Sequence, residues 1–298
     1  WLLAEGCPRP SGVIWFTIGA ILFAGSKAQH AMFGPLAAAF LVWILWPRRK
    51  AAALLTASLV LAVSLAAFAV TPRWYTGQAL FNAIFFRILP ESPQLARTLT
   101  ELNLDPSYLS YSGMHAFMPA SPAQSNDWAA QLARRTGHRT LALFYLRHPL
   151  LALRHLDLAL VKEAPVLRPV NLSNFREVDG QPAGARTHRW SLWSTLHASL
   201  LTRWPHCFAA AFLLLWISLV ACVWKRRGLP AGRLALVAAV LPGIAFTEFA
   251  VAALADACET YRHLLLAHLI TDTALLLGLA ALVIAVTATT PRRPQNPL

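Results

Sequence analysis

"DACETYRHLLLAHLITDTALLLGL" (residues 256–279) begins with polar residues and passes into an apolar run that extends to residue 287. A run of about 20 apolar residues crosses the hydrocarbon core of a bilayer as an α-helix, because each helical residue advances about 1.5 Å. Yet Glu259, Arg262, His263, His268 and Asp272 lie just before this run or inside it. Ionisable residues at membrane depth are unfavourable without partners, so the stretch predicts a membrane helix with a functional site at one end.

The rest of the chain repeats this apolar character. Of 298 residues, 57% are hydrophobic and only 13% are charged, which exceeds the apolar content of an ordinary soluble domain. The apolar residues form six runs, at residues 13–25, 31–46, 52–70, 207–224, 234–253 and 264–287. We interpret the two short N-terminal runs as two tilted spans, with a re-entrant pair as the alternative. The predicted fold class is therefore all-α, a polytopic membrane protein with about six transmembrane helices.

Short basic loops give the orientation, because Lys and Arg collect on the cytoplasmic side of a membrane protein. These loops are "PRRK" (47–50), "KRR" (225–227) and "PRR" (291–293). They place residues 26–30, 71–206 and 254–263 outside. The formal net charge of +13 is thus partly a topology signal, and it does not favour nucleic acid as a partner.

Three segments follow from this topology. Residues 1–70 hold about three N-terminal spans, and residues 207–298 hold about three C-terminal spans. Residues 71–206 form a mostly helical extracytoplasmic domain with interfacial helices. Residues 75–89 and 190–204 are candidates for those interfacial helices, since aromatic residues accompany apolar residues at helical spacing.

Polar residues from three parts of the chain are sent to the outer side. Residues 26–30 ("SKAQH") offer Lys27, Gln29 and His30, and residues 247–249 ("TEF") offer Glu248. The third part is the opening stretch, in which Glu259 and His263, and likewise His268 and Asp272, are four residues apart and share a helix face. We expect Asp272 to pair with His268, and we predict a hydrated pocket of mixed charge at the outer membrane surface.

Such a pocket suits a phosphate-bearing lipid-linked substrate. The cationic side chains can hold a phosphate, and a carboxylate can act as general base or as a ligand of a divalent cation. The candidate catalytic residues are Glu248, Asp256 and Glu259. The candidate substrate-binding residues are Lys27, Gln29, His30, Tyr261, Arg262, His263 and His268. The spacing predicts no dedicated metal site, and a divalent cation stays open as a cofactor. The competing interpretation is structural, since polar residues often anchor helix ends and His–Asp pairs often join helices.

Motifs of soluble enzymes are missing: the sequence contains no P-loop, GxGxxG, GxSxG or HExxH pattern. A resemblance is carried instead by "SKAQH" (26–30), "FNAIFFRILPESP" (81–93), "LDPSYLSYSGMHAF" (104–117) and "ETYRHLLLAH" (259–268). Together these stretches resemble the WsfD-like family of bacterial glycan-biosynthesis hexose transferases, which is similar to the GT-C class of membrane glycosyltransferases. The resemblance runs from about residue 20 to residue 275.

The resemblance implies transfer of a hexose from a polyprenyl-phosphate donor to a cell-envelope glycan on the outer face of the bacterial cytoplasmic membrane. GT-C enzymes usually carry an essential acidic residue in the loop after their first span, and no such loop precedes residue 26. Unless that residue lies in sequence before Trp1, Glu248, Asp256 or Glu259 has to replace it. Two other functions compete: a transporter or flippase of a lipid-linked substrate, and a non-catalytic subunit that binds other membrane subunits of an envelope assembly.

Overall fold

The computed structural model describes residues 9–27, 29–168, 175, 177–182, 184–187, 189, 191–225, 230–258 and 260–287. These residues form helices and no strand, which confirms the predicted all-α fold class. The chain divides into two compact units. The first comprises Trp1–Pro72 and Gly228–Arg233, and the second comprises Arg73–Arg227 and Leu234–Leu298.

The first unit is built from three apolar helices, α1 (Pro10–Ser26), α2 (Gly34–Leu45) and α3 (Lys50–Val70). A 3-10 turn at His30–Phe33 leads into α2. The three helices enclose a small core of Val13, Leu41, Leu45, Ala53 and Val60. Helices α2 and α3 approach so closely at Gly34 that a Cβ atom there would lie 1.6 Å from the Ser64 hydroxyl oxygen, so the contact requires glycine.

In the second unit, short helices surround an aromatic core. They are α4 (Arg73–Phe81), α5 (Leu89–Glu91), α6 (Leu95–Glu101), α7 (Asn126–Arg135), α8 (His138–Arg147) and α9 (Pro149–Leu158). The rings of Phe81, Phe85, Tyr111 and Trp128 pack in tilted or edge-on arrangements at centroid distances of 4.7 to 6.1 Å. This core joins residues 80–104 to residues 116–145 of the chain.

The other described helices include three long apolar ones, α11 (Pro205–Lys225), α12 (Pro230–Val251) and α14 (Leu265–Thr287). They also include two shorter ones, α10 (Leu192–Arg203) and α13 (Thr260–His263). Helices α11 and α14 pack at Gly278, where a Cβ atom would lie 3.2 Å from methyl carbons of Leu215 and Leu219.

Four helices of the described chain are long and apolar enough to cross a membrane: Lys50–Val70, Pro205–Lys225, Leu234–Asp256 and Leu265–Thr287. Pro10–Ser26 and His30–Leu45 are apolar but shorter. On α11, the large apolar side chains of Leu213, Leu214 and Ile217 are exposed, as expected for a surface that faces lipid. All six predicted apolar runs are therefore helical, and four of them reach the length of a full span.

Candidate functional site

Among the described residues, three π-helical turns interrupt or extend α-helices, and side chains from all three meet in the second unit. The turns are Asn82–Ile88 after α4, Ala159–Glu163 after α9 and Ala252–Asp256 after α12. A π-helical turn is rare and is frequently found at a functional site. Polar contacts join the three turns through Asn82 and Arg87 of the first one.

Arg87 is the central cation of this cluster. Its Nη2 atom donates to Glu163 Oε1 in a buried ion pair, and the same nitrogen donates to the carbonyl oxygen of Ala257 at 3.1 Å. The side chains of Arg87 and Glu163 are 7% and 19% exposed. Ala257 has a φ of +62°, a left-handed conformation that is unfavourable for a residue with a Cβ atom. Arg87 therefore stabilises the strained residue that directly follows Asp256.

Asp256 has polar partners on both carboxylate oxygens. Asn82 Nδ2 donates to Oδ1 at 2.9 Å, and His263 Nε2 lies 3.2 Å from Oδ2. Asn82 is oriented in turn, because its Oδ1 accepts a hydrogen bond from the backbone N–H of Ala116 at 2.7 Å. The Asp256 side chain is 25% exposed. Its carboxylate is thus fixed in position and still accessible, which is what a general base requires.

Further ionisable side chains surround this carboxylate. The negative charge of Asp256 favours the protonated forms of His138 on α8 and of Tyr75 on α4. Partial burial and the Asp256 charge raise the pKa of Tyr75, while Arg262 opposes that change. Asp256 is therefore the anionic centre of a group of potential hydrogen-bond donors that come from several helices.

The structure brings together some of the residues that the sequence analysis selected. Asp256 and His263 are in contact, and Arg262 lies next to His263 on the short helix α13 with the partly buried Tyr261. Glu248 is buried inside α12, with 1% of its surface exposed. Glu259 lies outside the described residues.

The other selected residues have local contacts of their own. Lys27, Gln29 and His30 belong to the first unit, where the His30 ring stacks on Phe23 at 4.6 Å and its Nδ1 atom lies 2.9 Å from the Ser26 hydroxyl oxygen. His268 is in α14, and its ring lies edge-on to the ring of His197 at a centroid distance of 5.2 Å.

The expected pairing of His268 with Asp272 is wrong. Asp272 Oδ2 accepts a hydrogen bond from Trp193 Nε1 at 2.6 Å, and Oδ1 lies 3.3 Å from His197 Nδ1. Both partners belong to α10. Residues four apart share a helix face, but α10 packs on this face of α14 and supplies partners from outside the helix. Burial lowers the pKa of His197, while the charge of Asp272 opposes that change.

Sequence reasoning missed Asn82, Arg87 and Glu163. Asn82 and Arg87 are polar residues five apart in the apolar stretch "FNAIFFRI" (81–88). Residues five apart do not share a face of a regular α-helix, so the helical period gave no signal for these residues. In the described part of the chain, no group of three or more His, Cys, Asp or Glu side chains is arranged to hold a metal ion, and we assign no metal ligand.

Comparison with known proteins gives one family. A family model described as YfdI N-terminal transmembrane domain matches residues 5–296. No curated protein and no solved structure matches the chain.

Proposed function

From the premise that this chain belongs to the YfdI N-terminal transmembrane domain family and is a multi-pass membrane protein, we propose that it is a membrane glycosyltransferase. It moves a hexose from a polyprenyl-phosphate donor to a cell-envelope glycan on the outer face of the bacterial cytoplasmic membrane. The observation that carries the proposal is the Asp256 carboxylate, which is one-quarter exposed and held by Asn82 and His263 at the end of an apolar helix. The resemblance to WsfD-like and GT-C transferases supports the same reaction.

Asp256 is the general base in this proposal. The hydroxyl oxygen of the acceptor attacks the anomeric carbon of the hexose, and the hydroxyl proton passes to Asp256. The bond from that carbon to the phosphate oxygen breaks, and polyprenyl phosphate leaves. The hydrogen bond from Asn82 and the contact with His263 keep the carboxylate oriented, and general-base catalysis of this kind contributes about 10²- to 10⁴-fold in rate.

The neighbours of Asp256 bind substrate. Arg262 and His263 are on the same short helix and supply positive charge or hydrogen bonds for the phosphate, and Tyr261 lies beside them. Asp256 is a better candidate for the base than Glu248, because Glu248 is buried inside its helix. Glu259, His268, Lys27, Gln29 and His30 stay sequence predictions for this reaction.

Topology supports the outer face. The basic loops at 47–50 and 225–227 follow the positive-inside pattern, and counting helices from them puts the end of the Leu234–Asp256 span on the opposite side. Asp256 is the last residue of that span, so the reaction takes place where a lipid-linked donor and an extracytoplasmic glycan can meet.

The test is transfer of labelled hexose by the purified chain in lipid nanodiscs. The donors are polyprenyl-phosphate glucose, galactose and mannose, and the acceptor is an envelope glycan preparation. We expect Asp256→Asn to lower transfer by about 100-fold or more, because the amide cannot accept the proton. The matched control is Asp157→Asn, because Asp157 is 57% exposed and its ion-pair partner, His206, is not one of the residues that contact Asp256. This control keeps wild-type transfer.

Two results contradict the proposal. One is undiminished transfer by a folded Asp256→Asn variant, with folding checked by thermal unfolding. The other is movement of the lipid-linked sugar across the membrane by the wild-type chain without a new glycosidic bond, which identifies a flippase. A chain that neither transfers nor moves lipid but purifies with other envelope proteins is a non-catalytic subunit.

A further inference from the structure

A second polar feature of the second unit is an open cavity of about 1010 Å³ beside α10. Three arginines line it, Arg168, Arg186 and Arg203. The described residues that line the cavity include no Asp or Glu. None of the residues that contact Asp256 lines it, so this cavity is separate from the proposed catalytic site.

The side chains of helix α10 lie in three environments, which are the protein interior, the cavity and the exposed surface. His197 and Leu201, four residues apart, are buried. Ser194, Ser199 and Thr202 line the cavity together with Arg203. Hydroxyl and guanidinium groups give the cavity wall hydrogen-bond donors and positive charge, the combination that binds phosphate.

The arginines are held at the wall by local contacts. Arg168 donates to the carbonyl oxygen of Thr187, and Arg186 donates to the carbonyl oxygen of Arg168. These two hydrogen bonds join the segments around residues 168 and 186, which line the cavity outside α10. The guanidinium group of Arg203 lies over the Trp204 ring at 5.8 Å from its centroid. Positive charge is thus concentrated in the cavity by ordered side chains.

The exposed face of α10 indicates the depth of the cavity relative to the membrane. Leu192, Trp193 and Leu196 are exposed on this helix, and Trp204 is exposed at its end. The span α11 begins at the next residue, Pro205. Exposed Trp and Leu directly before a span are typical of the membrane interface, which is the depth at which lipid phosphates lie.

We propose that this cavity binds the phosphate-bearing headgroup of a membrane lipid, with Arg168, Arg186 and Arg203 as the cationic ligands. The volume of about 1010 Å³ is at the upper end of the range for pockets of small ligands, so it accommodates a headgroup larger than phosphate itself. The lipid binds whether or not the chain transfers a sugar. Leu201 and Leu167 also pack with Ala252 and Leu264, so the wall of the cavity is in contact with the π-helical turn after α12 and with the residue before α14.

The test measures retention of fluorescent phosphatidic acid by the intact chain in a neutral detergent. We expect saturable binding that phosphatidylcholine competes weakly and unlabelled phosphatidic acid competes fully. Arg203→Gln is expected to weaken binding about ten-fold, because a charge-assisted hydrogen bond is lost, and Arg168→Gln with Arg203→Gln weakens it further. The matched control is Arg134→Gln on the exposed surface of α7, which removes the same charge and leaves binding unchanged.

The other outcomes of this experiment either overturn the proposal or separate it from the proposed function. Arg203 is exposed, so Arg203→Gln is expected to fold even if the double variant does not, and thermal unfolding checks both. Equal binding by wild type and Arg203→Gln overturns the proposal. Equal competition by inorganic phosphate at the concentration of the lipid also overturns it, because the ligand is then a soluble anion. Loss of sugar transfer by Asp256→Asn with lipid binding intact keeps the two proposals separate.

Discussion

Removing the cation of the buried Arg87–Glu163 pair tests the central cluster most directly. Arg87→Met keeps much of the side-chain volume and removes both hydrogen bonds of Nη2, one to Glu163 and one to the Ala257 carbonyl oxygen. Glu163 is then left as an uncompensated charge with its side chain 19% exposed and its Oε2 atom buried without a hydrogen-bond partner among the described residues.

The size of the effect follows from the burial of the pair. Loss of one partner of a buried pair costs about 3 to 5 kcal/mol, and partial exposure of Glu163 places the cost near the lower end. The lost hydrogen bond to Ala257 adds about 1 kcal/mol. We therefore expect Arg87→Met to lower the free energy of unfolding by about 4 kcal/mol. Arg87→Met with Glu163→Gln recovers about half of this loss, since no unpaired charge stays buried.

The assay is reversible SDS titration in mixed micelles, monitored by tryptophan fluorescence, for the two single variants and the double variant. The control is Arg97→Met, because Arg97 is 70% exposed in its pair with Glu101 and such surface pairs contribute about 0 to 1 kcal/mol. An Arg87→Met variant within about 1 kcal/mol of wild type refutes the reasoning, and so does a double variant less stable than Arg87→Met. Arg87→Met also frees the turn after Asp256, so we expect sugar transfer to fall in molecules that still fold.

Two further predictions concern packing and pH. A Cβ atom at Gly77 would lie 1.9 Å from the carbonyl oxygen of Ala129, so Gly77→Ala forces α4 and α7 apart and lowers the free energy of unfolding by about 2 kcal/mol. The control is Gly137→Ala, which has open space around it and changes the free energy of unfolding by only about a few tenths of a kcal/mol. Equal effects of the two variants in the SDS titration refute the close approach of α4 and α7. Burial lowers the pKa of His155 to about 4 from an ordinary value of 6.5. Because the folded state binds this proton less readily than the unfolded state, the stability is fully present above pH 6.5 and about 3 kcal/mol of it is lost as the pH falls toward 4. Unfolding free energies at pH 7.5 and pH 4.5 measure this loss, and an identical pH dependence in His155→Gln argues against it.

The helices were predictable from sequence because hydropathy is a local property. The apolar runs coincide with the described helices, and the two short runs are the two short apolar helices Pro10–Ser26 and His30–Leu45. The proximity of Asp256 and His263 was also accessible, since they are joined by a short polar connection at the end of a span. Their separation of seven residues is short enough for both to lie near the same end of the span.

The partners of these residues were not accessible in the same way. Asp272 carries a same-face neighbour, His268, and the sequence therefore favoured that pair. In the structure the partners of Asp272 are Trp193 and His197, because the packing of α10 against α14 places these two side chains next to the carboxylate. A pattern within one helix carries no information about which other helix will cover it.

What the sequence by itself determined is the class of protein and the positions of its apolar helices, because the transfer of apolar side chains from water acts on each segment separately. Only the tertiary structure decided the candidate site. Arg87 meets Glu163 across 76 residues, and Asn82 meets Asp256 across 174 residues. Contacts at such separations depend on how π-helical turns and packed helices place side chains in space, and no period along the chain records that placement.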